Sequence, residues 1–308
     1  MIRKLLCALL CLSFLTGCAS LAPAGEGLTF TDDLGLEVTA PYSPEKVAVL
    51  TSSLADLWLT AGGSIQITVG ETLERGFLED ALLVDAGAGK TVDLERLIAE
   101  GPELVVCSAE LAGQRECAEA LRAAGIPVAA FSVETFEDYL RVLKICTQIL
   151  KTPEKYETCG EALRLEIEEL IADARAREGT PRILFVRAGS SARYTKAKTD
   201  ENHFVCVMLK ELDTENIAEK APILLEGLST EEVLLSDPDA IFFTTMGDEA
   251  AGAAYMESLL SDPVWSSLRA VREGRVYQLP KDLFQYKPNS RWPEAYAYLT
   301  ELLYGENQ

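Results

Sequence analysis

The sequence predicts an α/β protein of two lobes that face each other across a cleft. Three observations carry this: a long amphipathic helix near the middle of the chain, alternating strand-like and helix-like runs before it, and the same alternation restarting after it. The helix runs from Pro153 to about Arg177. Tyr156, Cys159, Leu163, Ile167, Leu170 and Ala174 recur three and four residues apart on one face. Glu157, Glu161, Arg164, Glu168, Asp173 and Arg177 fill the other. Pro153 suits a first turn, and Gly179 with Pro181 stops the helix. At about 1.5 Å per residue this is a rod of roughly 37 Å.

At 308 residues the chain is long enough for two domains, each with its own core. The hydrophobic fraction of 48% and charged fraction of 25% are those of a soluble globular protein. A net charge of −21 repels phosphate backbones and argues against nucleic acid as a partner.

Arg3 and Lys4 precede an apolar run, Leu5 to Leu15, too short to stay in a bilayer as a spanning helix. It ends in Leu15-Thr16-Gly17-Cys18, which resembles a bacterial lipobox. Cleavage before Cys18 leaves its thiol and new amine to carry acyl chains. The competing reading is an ordinary signal peptide with a chance cysteine; the small residues leading directly to Cys18 favour lipidation. Without residues 1–17, 26 Lys and Arg stand against 49 Asp and Glu, a net charge of −23. No later apolar run is long enough to span a membrane, so the lipid is the only expected anchor.

The expected division is a signal peptide at 1–17, a lipidated tether at 18–27, an N-terminal lobe at 28–152, the interlobe helix at 153–178 and a C-terminal lobe at 179–308. Cys107, Cys117, Cys146, Cys159 and Cys206 remain in the mature chain. An odd number leaves at least one thiol unpaired in a monomer, and no C-x-x-C pair supports a zinc or redox site. They read mostly as buried small hydrophobes, with one disulfide left open.

In order, Asp33 to Val38 reads as a short hairpin and Lys46 to Leu50 as a buried strand. Thr51-Ser52-Ser53 opens a helix that stops at Gly62-Gly63, and Ile65 to Val69 is the next strand. Helices from Asp93, Glu110 and Glu134 alternate with strands at Leu104 to Cys107 and Pro127 to Phe131. Past the rod, Arg182 to Val186, Asp239 to Thr244 and Arg275 to Leu279 are strands, and Ala188 to Thr199 is a polar loop. Helices are expected at Asn202 to Leu212, from Ser229, at Ala250 to Leu268 and at Pro293 to Tyr304. Regular β-α alternation implies mainly parallel sheets with helices on their faces.

Gly87-Ala88-Gly89-Lys90-Thr91 invites a phosphate loop, but the position that needs the first glycine is Val84. Neither G-x-G-x-x-G nor G-x-S-x-G occurs, and His203, the one histidine, is thin material for a triad or a bare metal site. A surface or loop-packing role suits His203 better. Two loops combine cations, hydroxyls and aromatic rings after strands, where α/β sheets place their ligand crevice. The first offers Arg187, Arg193, Tyr194 and Lys196; the second offers Tyr286, Lys287, Arg291 and Trp292. Trp58, after the first strand, adds a stacking face. Glu95 and Glu231 each stand near a helix start, one per lobe, where a favourable dipole contact is the local account.

Five groups of residues, in order and spacing, resemble the substrate-binding lipoproteins of ABC importers that carry ferric siderophores, haem and cobalamin. They are Pro44 to Leu50; Val92-Asp93-Leu94-Glu95-Arg96-Leu97 with Gly101 to Val106; Glu215 to Ala218; Leu228 to Leu234 with Asp237 to Ile241; and Trp265 with Ala270 to Tyr277. The resemblance spans about Leu36 to Tyr304. It implies two Rossmann-like lobes joined by one long rigid helix, with modest closure on ligand. It also implies that Glu95 and Glu231 pair with arginines on the permease. Pocket residues vary with cargo in this family. Trp58, Arg187, Arg193, Tyr194, Lys196, Tyr286, Lys287, Arg291 and Trp292 suit an anionic iron chelate or a tetrapyrrole on chemical grounds. For haem, Tyr194 or Tyr286 is the better axial candidate and His203 the second. The expectation is a monomeric, non-catalytic protein without resident cofactor, lipid-anchored on the extracytoplasmic side, whose ligand brings its own iron or cobalt. The alternatives are a ligand-sensing lipoprotein or an extracytoplasmic α/β enzyme; no convincing nucleophile or acid–base set supports the latter.

Overall fold

The computed structural model describes residues 27–85 and 91–305. The leader, Cys18, the tether to residue 26 and residues 87–90 of the glycine-rich run lie outside the described residues.

The N-terminal sheet is built of β3 (Val47–Val49), β4 (Ile67–Thr68), β5 (Leu82–Leu83), β6 (Leu104–Ser108) and β7 (Val128–Phe131), after a hairpin of β1 (Gly27–Thr31) and β2 (Glu37–Pro41). Its order is β5-β4-β3-β6-β7, all parallel. The C-terminal sheet holds β8 (Arg182–Ala188), β9 (Lys196–Ala197), β10 (Glu215–Asn216), β11 (Ala240–Thr245) and β12 (Val276–Gln278). It runs β10-β8-β11-β12 in parallel, with β9 antiparallel on β8. The loop expected at Ala188 to Thr199 is thus a short hairpin. Strands β3, β6, β7 and β11 are buried along their whole length, which is why they read as apolar runs up to the polar ends of β6 (Ser108) and β11 (Thr244, Thr245).

Side chains alternate between cores. Val47 and Val49 join Ile183 and Phe185 in one central core, while Ala48 and Leu50 pack into an outer N-terminal core and Leu184 and Val186 into an outer C-terminal one. The central core is continuous from lobe to lobe and includes Ile167 and Ala174 of the rod.

The lobes repeat one unit at a spacing of 136 residues. Val47 pairs with Leu104 in one and Ile183 with Ala240 in the other. Asp93 caps Leu94–Glu100 through the Arg96 N–H, and Ser229 caps Thr230–Ser236 through the Glu232 N–H. Both helices end in a left-handed residue, Gly101 and Asp237, followed by Pro102 and Pro238. The next acid then accepts from the backbone at the foot of the first strand: Glu103 takes Glu45 N–H at 2.6 Å and Lys46 N–H at 3.4 Å, and Asp239 takes Arg182 N–H at 2.7 Å.

The rod is helical from Pro153 to Arg175, but it is not one regular α-helix. Glu157–Glu161 forms a π-turn between the α-helical pieces Pro153–Tyr156 and Ala162–Arg175. The cause is a crossing with the Phe136–Leu150 helix. A Cβ on Gly160 would lie 3.0 Å from Leu140 Cδ2 and 3.1 Å from Leu143 Cδ2, and Tyr139 donates to the Cys159 carbonyl at 2.6 Å. The C-terminal helix Trp292–Tyr304 packs along the rod. Its first residue, Trp292, is fully buried, with its ring edge-on to Phe136 of the N-terminal lobe (centroids 6.4 Å apart) and to Phe204 of the C-terminal lobe (5.9 Å).

Gly160→Val should therefore destabilise the protein by about 1–3 kcal/mol through overpacking. Gly113→Ala, where nothing lies within reach of the new methyl, should stabilise it by about 0.4–1 kcal/mol. Equilibrium denaturant unfolding measures both.

Candidate functional site

A cavity of about 370 Å³ opens between the lobes. It lies beyond the carboxyl ends of β3, β6, β7 and β8, where parallel sheets leave helix starts and loops free to meet a ligand. The N-terminal wall offers hydroxyls and acids: Thr51, Ser52, Ser53, Ser108, Glu71, Glu110 and Glu134. The C-terminal wall offers Arg187, Asn202, His203, Phe204 and the segment Gln285 to Asn289.

That segment straps the lobes together. Lys287 N–H donates to Ser53 Oγ at 3.2 Å, and Asn289 Nδ2 donates to the Ser53 carbonyl and to Asp56 Oδ2, each at 2.8 Å. Lys287 Nζ reaches Glu134 at 2.7 Å and lies 3.9 Å from Glu110. Burial pushes the carboxyl groups of Glu134 and Asp56 above their ordinary range; Lys287 opposes this at Glu134, and the Asn289 hydrogen bond opposes it at Asp56. Tyr286 lies beneath Arg75, whose guanidinium carbon is 3.9 Å from the ring centroid.

A second cavity, of about 360 Å³, adjoins the cleft through Arg187 and is lined also by Arg193, Tyr194, Lys196, Lys198 and Met246. The β8–β9 hairpin supplies Arg187, Arg193, Tyr194 and Lys196, with Arg187 opposite Lys196 in register; Lys198 follows β9 directly and Met246 follows β11. Gly189 makes the fold-back possible, since a Cβ there would stand 2.4 Å from Tyr194 Cβ. None of the four cations is ion-paired among the described residues. Burial lowers the pKa of Arg187, and burial together with Arg187 and Lys196 lowers that of Lys198. Arg193 sits 5.6 Å from the ring centroid of the exposed Tyr194.

The structure thus brings Arg187, Tyr286 and Lys287 to the cleft and Arg193, Tyr194 and Lys196 to its basic annex. Three expectations are corrected. Trp58 is a core residue whose indole N–H donates to the Ser64 carbonyl at 3.0 Å. Trp292 is the interlobe core contact described above. Arg291 points away to Glu294, with two hydrogen bonds of 2.6 Å. Sequence reasoning missed Lys198, Ser53, Ser108, Glu110, Glu134 and Asn289. Ser108, the last residue of β6, carried the available signal, a polar side chain at a strand's carboxyl end.

His203 caps the Phe204–Glu211 helix, its Nδ1 accepting from the Val205 N–H at 3.3 Å, and its ring lies between those of Phe185 and Phe204. Burial, then Lys287, Arg187 and Lys198, hold its pKa well below the usual 6.5. The ring is neutral, and with Nδ1 accepting, its proton sits on Nε2; it presents a donor rather than a metal-binding lone pair. Among the described residues no group of three or more His, Cys, Asp or Glu is placed to hold a metal ion. All five cysteines of the described chain are free. Glu95 and Glu231 are exposed, each the second residue of its helix.

A family model for periplasmic binding proteins matches residues 47–283. The chain belongs to the periplasmic binding protein family. Membership makes it a binding protein rather than an enzyme, working outside the cytoplasm. No helix among the described residues is long and apolar enough to cross a membrane. The binding protein is similar in fold to an ABC transporter substrate-binding protein from Listeria monocytogenes EGD-e (TM-score 0.70, 17% identity, 86% of this chain and 100% of that one). It is also similar to the periplasmic heme-binding protein RhuT from Roseiflexus sp. RS-1 in apo form (0.69, 20%, 85% and 98%). A third likeness is to S. aureus IsdE complexed with heme (0.70, 15%, 84% and 98%). No curated protein matches in sequence.

Because the unfolded chain protonates His203 near 6.5 and the folded binding protein does so only well below it, this group's contribution is complete above that pH and is lost as pH falls through it. The loss is at most about 1.4 kcal/mol per pH unit. His203→Asn, which keeps a capping side chain, should show a smaller fall in stability than wild type between about pH 7.5 and 5.5 in denaturant unfolding.

Proposed function

We propose that this binding protein is a lipid-anchored extracytoplasmic receptor that captures an anionic iron chelate or a tetrapyrrole between its lobes and delivers it to an ABC importer permease. The observation that carries the reading is the annex: among the described residues Arg187, Arg193, Lys196 and Lys198 stand without acid partners beside the cleft of a chain whose net charge is −21. Such a cluster is stabilised when carboxylates or phenolates arrive. The printed descriptions of RhuT and IsdE as heme-binding and heme-complexed support a cargo of this kind. Lys287 is set aside as an anion contact, since Glu134 and Glu110 already balance it. For haem, Tyr194 beside Arg193 and Tyr286 beneath Arg75 remain the axial candidates, and the proton on His203 Nε2 places that residue behind them. The protein works as a monomer without resident cofactor, and iron or cobalt comes with the cargo. Glu95 and Glu231 dock onto permease cations, where exposed ion pairs set orientation more than affinity.

Calorimetric titration of the soluble domain tests this with haemin, cobalamin, and catecholate, hydroxamate and citrate-type ferric siderophores, each against its metal-free form. One anionic class should saturate. Arg187→Ala with Lys198→Ala should weaken it by about tenfold or more, while Arg291→Ala leaves it unchanged. Absence of binding across the panel would sink the cargo assignment. In cells, Glu95→Ala with Glu231→Ala should abolish uptake of the ligand so identified without altering its affinity; normal uptake would return the sensing role to the front.

A further inference from the structure

The two helices that carry Glu95 and Glu231 share a feature that ion pairing does not use. In Leu94–Glu100 the residues Glu95, Ile98 and Ala99 lie three and four apart and so share one face, and all three are exposed. In Thr230–Ser236 the same positions, 136 residues on, hold Glu231, Leu234 and Leu235, and these too are exposed. Ile98 is 37% exposed, Leu234 38% and Leu235 80%. The buried side of each helix is anchored by Leu97 and Val233 at matching positions. A surface helix ordinarily turns a polar face to water. One exposed aliphatic needs no explanation. The same acid-and-aliphatic face, presented once by each lobe in the same structural setting, does.

We propose that Ile98 in one lobe and Leu234 with Leu235 in the other are docking residues, each seated in an apolar hollow next to the cation that meets the neighbouring glutamate. The inference rests on the docking reading above and extends it from charge to shape. A face presented twice fits a partner that presents one surface twice, namely a pair of like transmembrane subunits. A second copy of this chain is the poorer occupant, because it would bring glutamates together between molecules of net charge −21. The division of labour follows from screening. The acid contacts orient the complex and fade with salt, whereas burial of the aliphatic side chains persists in salt.

The test is photo-crosslinking in the membrane of the native host, with the full chain carrying p-benzoylphenylalanine at Ile98 or at Leu234, and at Leu165 on the rod, 73% exposed, as control. Mass spectrometry should find the same ABC permease subunit joined to both docking positions and not to Leu165. Ile98→Ser, Leu234→Ser, Leu235→Ser together should keep the wild-type melting temperature. They should weaken binding to that permease in nanodiscs by about tenfold or more, at low and high salt alike. The loss caused by Glu95→Ala with Glu231→Ala should shrink as salt rises. Different proteins at the two positions, adducts of the chain with itself, no adduct at either, or a serine variant that binds as wild type does would overturn the inference. If the alanine pair also binds as wild type at low salt, the docking reading falls as well.

Discussion

The edge-on packing of Trp292 between Phe136 and Phe204 is the contact on which the two-lobed arrangement depends. It joins a helix of one lobe to a helix of the other within a single core. Its indole N–H finds no hydrogen-bond partner among the described residues, a loss of about 1–3 kcal/mol in a buried site. A fully buried indole in contact with two aromatic rings offsets that through its area and edge-on geometry. The strap from Gln285 to Asn289 lies just before it in sequence, so the segment that fastens the lobes also forms part of the cleft. Packing and ligand site are therefore set by neighbouring residues of one loop.

Charge is distributed to match. The chain is acidic overall, yet the β8–β9 hairpin and Lys198 just after it place four cations beside the cleft. The opposite wall carries hydroxyls and glutamates. The space between them is thus bounded by positive potential on one side and hydrogen-bonding oxygens on the other. The glutamates nearest the strap are already engaged by Lys287.

Much of this was legible in the sequence, and the rest was hidden for definable reasons. The apolar face of the rod follows from spacing alone, as do the buried strands and the starts of the Asp93 and Ser229 helices. The π-turn at Glu157–Glu161 does not, because its cause is a helix that crosses at Gly160. In the loop after β12, composition announced a site, but nothing local says that Tyr286 turns to the cleft while Trp292 enters the core. Lys287 reads as a free cation until Glu134, distant in sequence, is found beside it. Lys198 escaped because it stands one residue past β9, a two-residue strand whose pairing with β8 no local pattern announces.

The unbroken core has a further consequence for how such a molecule persists outside the cytoplasm. Two domains linked by a flexible segment can open one at a time and expose either half to proteases. Here Ile167 and Ala174 of the rod, Val49 of one sheet and Phe185 of the other belong to one apolar cluster. Neither half can shed its inner layer without stripping the other, so the chain gains or loses its structure as one cooperative unit.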